Sequence, residues 1–314
     1  MIKFPIQELL DEEESYVRLC ELLRPEGFSC PNGHPLPKDQ APHERKRAPV
    51  VNYRCRECGA VYNLFTGSIW SGSHYDCRII LLLMRGFIKG VPTQELATEM
   101  ELDYKTVLKW RHRVQEQAIV PSEQETLPDN EVEGDEMFQN AGEKGDRHDD
   151  PDDPPRQRSN PKRGRGTAAG DRPVIVGVVG RESGQVQITV TTDTQNDTLV
   201  PIYADQVDDE TTFYSDDAHH FQPLEETVDA LHTVAHGENE YARDPDDDGH
   251  HEVHNNTIES VWSSLRNFLR PFRGVHKRYL PGYVALFEWA YNLVSVTSAF
   301  LRTLVFPDFS ALPT

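Results

Sequence analysis

The chain has no apolar run approaching the roughly 18 to 20 residues that a membrane-spanning helix needs, and its opening, MIKFPIQELLDEEESY, lacks the apolar core of a secretory signal. No membrane association is expected, and the cytoplasm is the expected location. Cysteine is scarce: Cys20, Cys30, Cys55, Cys58 and Cys77 are five, an odd number in a chain with no export signal, which argues against a disulfide framework and for metal binding. Positive charge is short as well, with 32 Lys and Arg against 52 Asp and Glu for a formal net charge of -20. Taken as an average, that balance speaks against a nucleic-acid partner, because phosphate binding relies on Lys and Arg. His-Glu-x-x-His spacing is missing too. His219, His220, His232, His236, His250, His251 and His254 therefore do not read as a second zinc enzyme, although His236 or His254 could touch DNA or support nearby acids.

The average charge hides a segregation. Residues 28–120 carry 13 Lys and Arg against 9 Asp and Glu, whereas residues 121–314 carry 16 against 36. The basic region thus lies in the N-terminal third. Acidic runs such as DDPDD at 149–153 and DPDDD at 244–248 read as solvated loops, and an Asp-rich, Lys-poor exterior suits a salt-loving host. Such a host predicts stability that falls as salt is withdrawn. With 314 residues and 37% hydrophobic content, the chain is long enough for two domains with real cores.

FSCPNGHPL at 28–36 and YRCRECGAVY at 53–62 bring a Cys/His pair and a Cys/Cys pair together across a linker. Cys55 and Cys58 can grip one metal from a tight turn that Gly59 relaxes, and Cys30 with His34 can complete a tetrahedral, structural Zn²⁺ site. A usual ribbon would carry Cys where this chain has Gly33, so His34 is read as the substitute ligand. The plainer alternative leaves Cys30 as a lone buried thiol. Cys20 and Cys77 read as small core residues.

CRIILLLMRGFIKG is an apolar helix ended by Gly90, and VPTQELATEMELDYKTVLKWRHRVQEQA reads as two amphipathic helices about a short turn, a helix-turn-helix. Thr93 can cap the first. Lys105, Lys109, Arg111 and Arg113 on the second are expected to face phosphates and base edges in a major groove. A helical spacer with a solvated basic face is the alternative.

After the linker PSEQETLPDN, EVEGDEMF reads as a strand delivering Asp135 at its end. The polar segment 140–173 holds Arg156, Arg158, Lys162, Arg163, Arg165 and Arg172, and either drapes over DNA or is a disordered insertion. RPVIVGVVGRESGQVQITVTTD reads as a hairpin turned at Glu182 to Gly184, followed by a helix near Thr198 to Gln206 and a strand ending on Asp216 and Asp217. A helix beginning near Asn256 then supplies Glu259. Three acids from separate elements suit two divalent cations, because hard Mg²⁺ takes carboxylate oxygens and a metal pair can activate an attacking oxygen while steadying a leaving one. Asp135 would bridge both ions, with Asp216 and Glu259 holding one each. Arg266, two turns beyond Glu259, could clamp a phosphate, and Arg270, Arg273, Lys277 and Arg278 follow with no acid among them. An ordinary surface pair of Glu259 and Arg266 is the alternative. Glu136 beside Asp135, and Asp217 beside Asp216, leave a one-residue ambiguity.

At these residues the sequence resembles the ISXO-type insertion-sequence transposases, DDE enzymes with an N-terminal zinc ribbon and helix-turn-helix. The matching pieces are YRCRECGAVYNLFTGSIW, the paired helices, VEGDE, FYSDD, VAHGENEY, VHNNTIESVWSSLR and YLPGYVALFEWAYN. The resemblance implies Asp135, Asp216 and Glu259 as the catalytic acids, with Asn256 three residues before Glu259 and Arg266 as a following basic residue. It implies an α+β multidomain chain: a helical segment at 1–27, a zinc ribbon at 28–72, a helix-turn-helix at 73–120, and an RNase H-like α/β domain with a mixed sheet at 128–306. The expected function is binding of the element's terminal inverted repeats, followed by Mg²⁺- or Mn²⁺-dependent cleavage and strand transfer. Double-stranded DNA is the expected partner, and a homodimer or larger assembly is expected because two ends need two sites. The rivals are a non-catalytic DNA-binding regulator derived from a transposase and a structure-specific RNase H-like nuclease.

Overall fold

The computed structural model describes residues 10–119, 127–143, 145–147, 149, 155, 172–191, 193–216, 219–234, 242–243, 253–293, 295 and 297–307. In chain order the first elements are α1 (Glu12–Leu23), β1 (Tyr53–Arg54), β2 (Val61–Tyr62), α2 (Cys77–Ile88), α3 (Thr93–Glu99) and α4 (Tyr104–Ile119). Then come β3 (Glu131–Phe138), β4 (Ala141–Gly142), β5 (Val174–Gly180), β6 (Val186–Thr191), α5 (Asn196–Ala204), β7 (Thr212–Asp216) and β8 (Ala230–Val234). The last are β9 (Ala242–Arg243), β10 (Val253–His254), α6 (Asn256–Leu269), β11 (Val275–His276), α7 (Leu280–Asn292) and α8 (Ser298–Val305). None of the described helices is long and apolar enough to cross a membrane. The chain divides into two units, residues 1–120 with 293–314, and residues 121–292.

In the first unit, α1 starts at Asp11, whose carboxylate accepts the Glu14 N–H at 2.9 Å. A second, long-range cap begins α2: Glu12 accepts the backbone N–H groups of Cys77 and Arg78 at 2.7 and 3.0 Å. Leu96, Ala97 and Met100 of the α3 region and Val107 and Trp110 of α4 are buried at the expected helical spacing. Thr93 is the first residue of α3 rather than its cap, which is Pro92. Helix α8 also belongs here, with Phe300, Leu301, Leu304 and Val305 buried and Val305 C=O accepting the Ile69 N–H at 2.7 Å. The C-terminal region expected to run to 306 therefore parts from its own unit at Asn292. An eight-residue amphipathic helix carries no signal for which core it will join.

The second unit is built on a five-stranded mixed sheet of order β6-β5-β3-β7-β8. Strands β6, β5 and β3 pair antiparallel, while β3, β7 and β8 pair parallel. VIVGVVG of β5 is buried throughout, as a strand covered on both faces must be. Its pleat sends Ile175 and Val179 into a core with Val261, Trp262 and Leu265 of α6 and Val284 and Phe287 of α7. Val174, Val176 and Val178 enter the opposite core with Leu199 and Tyr203 of α5, Phe213, and Phe221 of the 3-10 helix His219–Glu226. The β5–β6 turn is held by Asp129, which accepts the Glu182 and Ser183 N–H groups, both at 2.7 Å. The Gln139 N–H donates to Pro173 C=O at 3.0 Å, so the chain leaves β3 and returns to β5 at adjacent points.

Candidate metal centre and carboxylate site

Cys30, His34, Cys55 and Cys58 come together with their ligand atoms all within 4.8 Å of one another. Cys30 Sγ lies 3.7 Å from Cys58 Sγ and 3.4 Å from His34 Nδ1, and Cys55 Sγ lies 3.5 Å from the same nitrogen. A tetrahedral zinc with bonds of about 2.3 Å to sulfur and about 2.0 Å to nitrogen has ligand–ligand edges of about 3.8 and 3.5 Å. The four residues fit that ion. Two backbone turns make the grip. Gly59, at φ +75°, sends its N–H to Cys55 C=O, and Gly33, at φ +83°, sends its N–H to Cys30 C=O. The left-handed position falls on residue 33 in the first turn, where an L side chain would be strained, so the ligand moves one residue on and the longer His side chain reaches back. His34 Nε2 sits 3.5 Å from a Glu57 carboxylate oxygen, a partner that leaves Nδ1 as the free donor.

In the second unit, alternation along β3 sorts the acids. Glu133, Asp135 and Met137 face α6, while Val132, Gly134 and Glu136 face α5. Glu136 is engaged by the Tyr203 hydroxyl at 2.6 Å. Asp135 lies mid-strand rather than at a strand end, two residues past Glu133, the last position at which β3 pairs with β7. Glu133 is paired with Tyr214, and Asp216, two residues on from Tyr214, is near enough for its charge to act on Asp135. The proximity shows in the chemistry: the Asp135 carboxyl is pushed up to about 7 by burial first and by the Asp216 and Glu136 charges next. The Trp262 indole N–H opposes that shift, donating to Asp135 at 2.8 Å. Trp262 reaches this point over Gly177, where an added Cβ would lie 2.5 Å from the indole ring.

Glu259 is exposed in the first turn of α6, three residues before Trp262. Asp135, Asp216 and Glu259 do not meet at ligand-to-ligand distance: among the described residues, only the Cys/His group does. Asp217 lies outside the described residues. Asn256 is exposed at the start of the helix, and the Asn built into the fold is its neighbour Asn255, which is buried and donates to Gly134 C=O at 3.2 Å.

What holds α6 to the sheet was not anticipated. Glu133, fully buried, accepts the Thr257 and Ile258 N–H groups at 2.7 and 3.0 Å and the Thr257 hydroxyl at 2.9 Å. Arg181 Nε donates to the same carboxylate at 3.0 Å, and His254 Nδ1 lies 3.2 Å from it. The Arg181 guanidinium also covers the Tyr214 ring at 3.5 Å. A negative charge at a helix N-terminus is favourable, and this one comes from a strand 124 residues away in the chain. The available signal was period two, which puts Glu133 on the Asp135 face.

The expected basic surface is only partly free. Lys105 and Lys109 are exposed on α4, and Arg113 is half-buried with its guanidinium 4.9 Å from the Trp110 ring centre. Arg111 is a correction, for it is fully buried, donating to Thr93 Oγ1 at 3.0 Å and to Val91 C=O, with its guanidinium 4.8 Å from the Phe87 ring centre. It ties α4 to α3 instead of meeting solvent. Lys277 is likewise taken, by Glu143 at 3.3 Å. Arg278 is exposed beside the Tyr279 ring. Arg266, Arg270 and Arg273 are exposed and line one cavity.

A family described as the ISXO2-like transposase domain matches residues 129–292. A protein of Halobacterium salinarum, described as an uncharacterized protein in transposable element ISH50, is 30% identical over 239 residues, covering 75% of this chain and 76% of that protein. A crystal structure of a pre-cleavage Mos1 transpososome aligns over 71% of this chain and 80% of that chain at 13% identity, with a TM-score of 0.22 that carries no weight for the fold.

Proposed function

The chain belongs to the ISXO2-like transposase family, and from that premise we propose that it binds the terminal inverted repeats of its own element and performs two-metal-ion cleavage and strand transfer in an RNase H-like domain. One observation carries the reading: the Asp216 charge raises the Asp135 carboxyl on the sheet face that α6 covers, and Glu259 lies in the first turn of the helix pinned to that face. The strand order β6-β5-β3-β7-β8, with its antiparallel hairpins on one side and parallel pairs on the other, supports the fold assignment.

Asp135, Asp216 and Glu259 would hold Mg²⁺ or Mn²⁺, all three offering the hard oxygen ligands these ions take. The ions, when bound, supply an activated attacking oxygen and charge stabilisation at the leaving one. The chain's own residues prepare that site. Trp262 fixes one Asp135 oxygen by its indole N–H, leaving the other carboxylate oxygen to turn toward an ion. Glu133 and Arg181 hold the N-terminus of α6, and with it Glu259, against the sheet. Burial keeps the Asp135 carboxyl high enough to exchange its proton for a cation near neutral pH. The pleat favours Asp135 over Glu136, since Glu136 is spent on Tyr203 across the sheet.

Recognition of the repeats falls to α4, where Lys105, Lys109 and Arg113 remain available. Zn²⁺ on Cys30, His34, Cys55 and Cys58 would hold the preceding ribbon in shape. Two element ends require at least a dimer on DNA, and the acidic exterior suits a halophilic host. The test is a strand-transfer assay with the purified protein, Mn²⁺ or Mg²⁺, high salt and the gene's own flanking DNA, beside Glu259→Gln. Joined product that vanishes in the variant is expected. Cleavage without joining would indicate a nuclease, and binding with neither reaction a regulator.

A further inference from the structure

Beyond Glu259 the chain runs acid-free from residue 260 to residue 287, the more notable in a chain of net charge -20. Five basic side chains lie there, and the fold separates them. Lys277 is consumed by Glu143, and His276 lies 3.4 Å from Asp146. Arg266, Arg270 and Arg273 line one open cavity of about 360 Å³ together with Gln139 and Asn140. Among the described residues no carboxylate pairs with Arg266 or Arg270, and no acid lines the cavity.

The walls are held by a parallel bridge, β4 to β11, that sets Ala141 against Val275, both buried. This pairing carries Gln139 and Asn140 to the turn holding Arg273 and Gly274. Arg273 is left-handed at φ +55°, a conformation that a glycine would adopt without cost. Stability alone would not select a long cationic side chain there. Backbone strain at a cationic side chain lining a cavity fits a ligand clamp.

We propose that this cavity seats a backbone phosphate of the DNA strand that enters the carboxylate site. Three guanidiniums, with the side-chain amide N–H groups of Gln139 and Asn140 beside them, offer donors to the oxygens of a phosphodiester, and guanidiniums bind such oxygens in pairs. At about 1.5 Å rise per residue, Arg266 and Arg270 stand roughly 10 and 16 Å along α6 from Glu259. The seat therefore grips the strand several nucleotides from the cut and sets where along the strand Glu259 falls. This role rests on the transposase reading above.

Arg270→Ala/Arg273→Gly in the full-length, metal-loaded protein is the test. Glycine at 273 relaxes the left-handed residue, so a folded variant with an unchanged or higher melting temperature is expected. Binding to a duplex of the flanking sequence is measured across a salt series, with inorganic phosphate as competitor. Loss of two phosphate contacts should flatten the dependence of log affinity on log salt by about 1.8. Affinity should fall at least about tenfold, and the cut position should scatter. Unchanged slope, affinity and cut position would overturn the proposal. So would inorganic phosphate displacing the duplex at equal concentration, which would make the cavity a free-anion site. Failure of the wild type to cut or join would instead count against the transposase chemistry, which keeps the two readings separable.

Discussion

The Cys/His group and the carboxylate group differ in how nearly the folded chain completes them. Cys30, His34, Cys55 and Cys58 stand at distances that fit the vertices of a zinc tetrahedron, while Asp135, Asp216 and Glu259 remain apart. The cause lies in the scaffolding. Each half of the first site is a turn of four or five residues whose backbone bonds position both ligands, so little is left for the ion to arrange. Asp135, Asp216 and Glu259 come from two strands and a helix, and Asp135 and Asp216 repel each other in a setting that has already pushed one of them up to about 7. A closed arrangement suits a structural ion. An open one leaves room for substrate oxygens and needs cations to draw it together.

The sharpest way to break this contrast is to remove the thiolates. Cys55→Ser, or a strong zinc chelator, should cost the first unit a binding free energy on the order of 10 kcal/mol, and amide exchange should show protection lost in β1, β2 and their turns. Protection in β3 and β5 should persist. If both units lost protection together, they would unfold as one cooperative body.

Next in size is Glu133→Gln, which leaves the half-buried Arg181 with only the exposed Glu131 carboxylate, 3.5 Å away, and takes the negative charge from the cap of α6. A loss of about 3 to 5 kcal/mol is expected by denaturant unfolding, together with weaker Mn²⁺ binding. A variant as stable as the parent would show that the strand does not hold the helix.

Smaller, and opposite in sign to the usual carboxylate, is Asp135. Its folded value near 7 exceeds its ordinary 3.8, so the folded state binds the proton more tightly. Its contribution to stability is full below about pH 4, declines as pH rises toward 7 and stays lost above that, up to roughly 4 kcal/mol across the window. Metal-free Asp135→Asn should lack that decline and be the more stable protein at pH 8. Divalent cation should restore the parent at pH 8 and do little at pH 5. A flat stability curve for the parent would remove the proposed repulsion.

Spacing pointed to the Cys/His group of the first site, the paired helices and the buried strands, because each is written in local pattern. Arg111 shows the limit. It stands four residues after Val107 and three before Val114, on the buried stripe of α4, yet its charge argued for solvent, and only the Thr93 hydroxyl and the Phe87 ring explain the inward position. Glu133 was hidden for a related reason: acids are plentiful in this chain, and its partners lie 48 and 124 residues away. The destination of α8 was illegible because a short apolar face fits many cores.

The single hydrogen bond from Gln139 to Pro173 makes residues 140–172 an excursion that begins and ends at one point on the sheet. Closing such a loop costs free energy that grows only with the logarithm of its length. Residues 141–143 and 146 are committed to the β4 bridge and its ion pairs and Arg172 is buried ahead of β5, so both ends of the excursion are anchored and a change of length between them is expected to leave the β3–β5 register in place. That makes it a port for evolution and for the laboratory alike, where a foreign domain, a label or a protease site can enter without moving Asp135.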